Sequence, residues 1–179
     1  MRNIIFRYGV LSGIVSAALM FSTTVLLQKI GYSYAEAIGY GCIILSFLPV
    51  FLGVRKYRDN INGGSLNFGT GVAVAVAASL IANLFYVAAW MFIYYKMPDT
   101  MNAMFMASMD EMKKAGKSQA DIDAALKQVQ QIKDMYKNPW VNAAITFTEP
   151  LPMSLIFSLI TGLILKRKPA ETPTAKVIL

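Results

Sequence analysis

The sequence predicts an all-α fold: a four-helix transmembrane bundle with an exported helical hairpin between its third and fourth spans. Three observations predict it. Four long apolar runs, at about residues 8–27, 34–54, 71–95 and 140–165, are separated by charged breaks. Each reaches or exceeds the ~20 residues that a helix needs to cross a ~30 Å hydrocarbon layer. Charged residues make up 15% of the 179, against about 25% in a soluble domain, and the missing charge is missing from the four runs. Finally, with four spans all five arginines, Arg2, Arg7, Arg55, Arg58 and Arg167, fall on one side. By the positive-inside rule that side is cytoplasmic, so both termini are expected in the cytoplasm.

The first run follows Arg2 and Arg7 and could be taken for a signal peptide. It is longer than a typical ~7–15-residue signal core and no A-x-A site follows, so an uncleaved helix is expected. Gly9, Gly13 and Ala17 form a stripe of small residues on one face, the type that lets helices approach closely in lipid. A tight turn is expected near residues 28–33. Glu36 then lies near the outer boundary, at headgroup level. The second run carries the single cysteine, Cys42, which has no partner for an intrachain disulfide. Pro49 removes a backbone donor and is expected to kink this helix.

Residues 55–68 read as a short cytoplasmic loop, with a glycine turn at Asn62-Gly63-Gly64. Ser65 or Asn67 can start the third helix. Gly71, Ala75, Ser79 and Asn83 repeat every four residues along it. Trp90, Tyr94 and Tyr95 near its far end, with Trp140 at the start of the fourth span, suit an aromatic belt.

The exported segment, residues 96–139, has seven lysines, six acidic residues and no arginine. Pro98-Asp99-Thr100 can start a helix over about residues 101–115, which Gly116 stops. Ser118-Gln119-Ala120-Asp121 resembles a capping box, with Asp in place of Glu or Gln. Ile122, Leu126, Val129, Ile132 and Tyr136 then follow at helical spacing. That stripe must lie on its partner helix, the bilayer surface or another protein. Asn138-Pro139 ends the segment. In the fourth run Ser154, Ser158 and Gly162 form another small-residue stripe, and Pro150 and Pro152 are expected to kink it. The stripes imply either packing within one bundle or a homo-oligomer. One membrane domain, residues 1–168, precedes an expected disordered cytoplasmic tail, 169–179.

Glu149 is the sharpest candidate site residue. It stands in Thr146-Phe147-Thr148-Glu149-Pro150-Leu151-Pro152, inside an otherwise apolar run. A central acidic residue costs about 2.5–3.5 kcal/mol on insertion scales. At 1.5 Å per residue Glu149 lies about 24 Å from the cytoplasmic end of its helix. The same rise brings Thr23, Thr24, Tyr40 and Tyr86 to that level, with Asn83 about 6 Å deeper. Two readings stay open. Glu149 caps the N-terminus of the last helix, where the dipole favours an anion, or it is the one charge of a polar layer that takes a proton, a cation or a small ligand.

Composition removes several chemistries. There is no histidine, which takes away His-based triads, the usual zinc sets and imidazole relays. Net charge is +7, but the excess sits beside the apolar runs as a topology signal, and no basic stripe with interleaved aromatics points to nucleic acid. Gly116-Lys117-Ser118 ends like a phosphate loop, but Glu111 stands where that motif needs glycine. Met101, Met104, Met109 and Met112 belong to a methionine cluster that could offer soft ligands to Cu(I); the plainer reading is an adaptable apolar face. No other metal and no cofactor is expected. No nucleophile is apparent beside the carboxylates, so no enzyme is expected.

Several stretches carry a family resemblance: Phe51 to Asn60, then Gly64 to Gly69, Pro98-Asp99, Thr148 to Pro152, and Leu165-Lys166-Arg167-Lys168. They resemble domain-of-unknown-function family 4199, small bacterial membrane proteins found mainly in Gram-negative species. The resemblance covers about residues 1–168, and the Lys-Tyr-Arg-Asp-Asn stretch is its most specific part. It implies a multi-pass inner-membrane protein, whose exported side is then the periplasm. It implies no activity, substrate or cofactor, and the methionine cluster is not part of it. It directs attention to Arg55, Tyr57, Arg58, Asp59 and Asn60 as a recognition surface or as a juxtamembrane turn in which Asp59 pairs with an arginine. The expected function is a non-enzymatic interaction or accessory protein that lies in the bilayer and meets a membrane or periplasmic partner. The first alternative is a small transporter-like or ion- or proton-linked protein built on the Glu149 layer, and the last is a membrane-embedded enzyme.

Overall fold

The computed structural model describes residues 1–30 and 34–169, without the side chains of residues 28–30 and 36. The expectations for residues 31–33, for the Glu36 side chain and for the tail beyond Pro169 lie outside that range. The described chain forms eight helices: α1 (Arg2–Ile30), α2 (Ala35–Ser46), α3 (Leu48–Asn60), α4 (Phe68–Lys96), α5 (Pro98–Lys114), α6 (Gln119–Tyr136), α7 (Pro139–Thr148) and α8 (Leu151–Leu165). Four stretches are long and apolar enough to cross a membrane: Arg2–Leu27, Ala37–Asn60, Phe68–Lys96 and Pro139–Leu165. The second is α2 with α3 and the fourth is α7 with α8.

Burial in the last helix is inverted relative to a water-soluble protein. In α8 the buried residues are Ser154, Ser158, Thr161, Gly162 and Leu165, whereas Leu155, Ile156, Leu159, Ile160, Leu163 and Ile164 are exposed. Lipid tails are as apolar as leucine, so burying leucine gains nothing there, and close approach of small residues decides the packing. Gly9 lies against the Ala78 carbonyl and Ile81, Gly13 against Phe85, and Gly162 against Val72 and Gly71. The expected stripes are therefore taken up by contacts within the chain. The numbers rise together between α1 and α4, which run parallel. Gly53 on Tyr8 and Gly162 on Gly71 set α3 and α8 antiparallel to them.

Both expected kinks are full breaks, and each has a backbone cause. Pro49 has no N–H, and the Val50 N–H turns to the Phe47 carbonyl at 2.9 Å. The Ser46 carbonyl is left without its helical donor, and the Ser12 hydroxyl on α1 donates to it instead. Pro150 and Pro152 remove two donors in the fourth span, and α7 ends at Thr148. Elsewhere helices outrun the expectation. α1 begins at Arg2 rather than near residue 8. α3 continues through Arg55, Tyr57, Arg58, Asp59 and Asn60, so these residues form its last turns and not a loop. Arginines can hold a helix beyond the hydrocarbon by placing their heads in water. The turn after it is as expected, with Gly63 and Gly64 at φ 61° and 77°. Asn67 caps α4, its side chain accepting from the Thr70 N–H at 2.8 Å.

The start of α1 and the end of α8 lie at one end of the bundle, where Ile4, Tyr57, Leu66 and Leu165 share a core cluster. At the other end, α5 and α6 sit between the third and fourth spans. Gly116 at φ 69° stops α5, and the Lys133 ammonium lies 4.5 Å from the Phe105 ring centre, joining the pair. The capping box forms as expected. The Asp121 carboxylate accepts from the Ser118 N–H at 3.3 Å and hydroxyl at 2.7 Å, and Ser118 Oγ accepts from the Asp121 N–H at 3.2 Å. The bonds from Ser118 hold the Asp121 carboxyl below the ordinary aspartate range. A lowered folded value means that the cap is fully formed above the unfolded value and is lost as pH falls through the folded one. Amide hydrogen exchange read against pH should therefore show Ser118 and Asp121 losing protection below the ordinary aspartate range. Asp121→Ala should remove that dependence; an unchanged profile in the variant would contradict the assignment.

Candidate functional site

The breaks determine where the polar residues gather. Ser46 and Phe47 from the first break and Pro150 from the second line one gap, together with Ser16, Asn83 and Tyr86. The two interruptions thus meet at one level of the bundle. The gap has no room for water, and the buried Asn83 amide nitrogen has no hydrogen-bond partner. Ser79, one turn towards the start of α4, is likewise buried, and its hydroxyl has no partner among the described residues.

Glu149 lies between α7 and α8. Its carboxylate accepts a hydrogen bond from the Tyr86 hydroxyl at 3.0 Å. Pro150, not Glu149, occupies the N-cap position of α8, and no side chain caps that helix. The capping role is thereby corrected: proline at 150 moves the helix start past Glu149, and the carboxylate turns to Tyr86. Among the described residues no lysine or arginine lies within ion-pair distance of it. Glu149 and Tyr86 line an open cavity of about 430 Å³ with Gly39, Tyr40 and Ile43 of α2. A second cavity of about 170 Å³ shares Gly39, Ile43 and Tyr86 and reaches Thr23, Thr24, Cys42 and Met104.

Tyr86 therefore borders both cavities and the gap at Asn83, and it brings all six expected polar-layer residues into one neighbourhood. Their roles differ. Glu149, Tyr86 and Tyr40 face the larger cavity. Thr23 and Thr24 line the smaller one and donate back to the Leu19 and Met20 carbonyls at 2.6 and 2.8 Å. Thr23 Oγ1 also lies 3.4 Å from Cys42 Sγ.

A buried chain that the sequence reading missed extends from this site to α6. The Thr146 hydroxyl donates to Asn142 Oδ1 at 3.0 Å, Asn142 Nδ2 to the Tyr95 hydroxyl at 3.3 Å, and Tyr95 to the Tyr136 carbonyl at 2.6 Å. Tyr94 meets the Tyr136 ring edge-on at 5.3 Å. Burial pushes the Tyr136 phenol up, the Glu149 charge adds to the rise and a hydrogen bond with Thr146 opposes it. The available signal was spacing: residues 142, 146 and 149 share a helix face in an otherwise apolar run.

The remaining candidates, apart from Met104 in the wall of the smaller cavity, stand away from this site. Tyr57 is buried in the core at the opposite end. Arg58 grips Asp59 through two bonds, at 2.6 and 3.2 Å, and reaches the Leu165 carbonyl at 3.5 Å. Arg55 adds an ion pair with Asp59 at 3.7 Å. Asn60 closes α3. Met109 is buried, Met104 is part of a cavity wall, and Met101 and Met112 are half-buried along α5.

A family model described as a protein of unknown function, DUF4199, matches residues 7–167. The chain belongs to this family. The match takes in three span-length segments of this DUF4199 protein whole, the first from residue 7 onward, and both helix breaks. No curated protein and no solved structure matches the chain.

Proposed function

We propose that this DUF4199 protein is a non-enzymatic, ion-linked membrane protein that takes a cation, or a small ligand bearing a cationic group, against Glu149. One observation carries the reading: two interrupted helices meet beside a carboxylate that has no basic partner and faces an open cavity. Interrupted helices supply free backbone carbonyls at bound ions in membrane transporters. A charged group inside a span marks function by default, because its insertion is costly. Tyr86 orients the carboxylate from one side, and Tyr40 supplies an aromatic wall suited to a cation. In this reading the protein is a bacterial inner-membrane protein with cytoplasmic termini and a periplasmic α5–α6 pair. The confinement of arginine to the end where α1 starts and α8 stops supports that orientation.

The purified chain in neutral detergent tests this reading by thermal unfolding in sodium, potassium, methylammonium and choline chlorides at constant ionic strength. At 100 times its dissociation constant a bound ion adds about 2.7 kcal/mol, or roughly 5–10 °C for a chain of this size. At least one of the four should give a saturable rise. Glu149→Gln should keep the basal transition within a few degrees and abolish that rise. A flat wild-type response, or an equal rise in the variant, would overturn the proposal.

A second reading has its own support. Leu126, Ile132 and Met135 of α6 are exposed, although Ile122 and Tyr136 of the same helix are buried. An apolar surface of that kind suits a membrane or periplasmic partner of an accessory protein.

A further inference from the structure

At the end of the bundle where α1 starts and α8 stops, two chain segments are stapled together. The Leu66 N–H donates to the Arg167 carbonyl and the Arg167 N–H to the Leu66 carbonyl, both at 2.8 Å. This reciprocal pair is the isolated bridge between the start of α4 and the residues after α8. It holds Lys166, Arg167 and Lys168 around a cavity of about 540 Å³, whose other walls include Asn62, Ser65 and Asn67. That volume falls within the range of small-molecule sites.

The charge around this cavity is one-sided. Asp59 is the one carboxylate among the described residues of this end, and Arg58 and Arg55 already engage it. Among the described residues Lys166, Arg167 and Lys168 have no carboxylate within ion-pair distance, although the Arg167 charge reaches Asp59. A topology signal explains why basic residues stand at this boundary. It does not require them to be fixed by a backbone staple around a cavity with polar walls. We propose that this cavity binds a phosphate group, carried either by a lipid headgroup or by a soluble phosphate compound. Basic pockets beside membrane helices take anionic headgroups in this way, and arginine matches phosphate oxygens with paired donors. Arg167 is well placed for the role, because its backbone is pinned while its side chain stays exposed.

The test titrates the full chain in neutral detergent at physiological salt with short-chain phosphatidic acid, followed by native mass spectrometry, and with inorganic phosphate, followed by calorimetry. One equivalent of at least one probe should bind. Each cation removed should weaken binding by about five-fold, so the Arg167→Gln, Lys168→Gln pair should weaken it about 25-fold. Neither change touches the backbone staple. The Arg2→Gln, Arg7→Gln pair removes the same charge from outside the cavity and should change affinity less than about two-fold. Tight binding of phosphatidic acid that inorganic phosphate does not displace assigns the lipid source; displacement at similar concentration assigns the soluble one. Equal weakening by both pairs, or binding of neither probe, would overturn the proposal.

Discussion

Gly13→Val should force α1 away from α4 and lower the temperature of the folding transition in detergent, with a larger effect than Gly9→Val or Gly41→Ala. A Cβ at position 13 would lie 2.5 Å from Phe85 Cγ and 2.7 Å from Phe85 Cβ. Those atoms sit close to the α4 backbone, so rotation of the Phe85 ring cannot clear the space and the helices must separate. Overpacking of this kind costs typically about 1–3 kcal/mol and sometimes more, a large part of the ~5–15 kcal/mol that stabilises an ordinary domain. Gly9→Val should act in the same direction, because its Cβ would meet the backbone carbonyl of Ala78 at 2.8 Å. Gly41→Ala is the control. Nothing lies within 4 Å of its Cβ position, and removing a helical glycine should stabilise by up to about 1 kcal/mol. Thermal or denaturant unfolding followed by circular dichroism reads all three. Equal stability of Gly13→Val and wild type would show that α1 and α4 do not pack through this stripe.

Much of this architecture was legible because length and residue size act locally. A run of about 20 apolar residues is long enough to cross a membrane wherever it occurs, and Gly9, Gly13, Ser79 and Ser158 mark close approach without knowledge of the partner. Ser118 and Asp121 satisfy each other within one turn, so their capping box could be read directly. The misreadings arose where a local signal was ambiguous. Arg55 to Asn60 look like a loop by charge, yet long basic side chains let α3 continue past the hydrocarbon. Pro150 reads as a kink, but it also displaces the start of α8 and frees Glu149 from a capping role. Two features needed the assembled fold. The breaks at Phe47 and Pro150 meet only because the second and fourth spans align in a particular register. The Leu66–Arg167 staple uses backbone groups alone, and side-chain identity carries no trace of it. Within the site, Glu149 stood out as a lone charge, whereas Asn142 and Thr146 were overlooked because neither is charged.

The central claim is that lipid surrounds these helices while a water-accessible cavity reaches Glu149 between them. Tyr40 and Leu159 separate the two environments, since their exposures are similar, 51% and 46%, and only Tyr40 lines the cavity. The measurement is the rate at which a charged maleimide labels Tyr40→Cys and Leu159→Cys, each in a Cys42→Ser background in nanodiscs open on both faces. A thiol in hydrocarbon is held protonated and away from the reagent, so labelling at Leu159→Cys should be slower by roughly a hundredfold or more. The account predicts rapid labelling at Tyr40→Cys and almost none at Leu159→Cys. Comparable rapid labelling at both would mean that water, not lipid, surrounds the bundle, and protection of both would mean that no wetted path leads to Glu149.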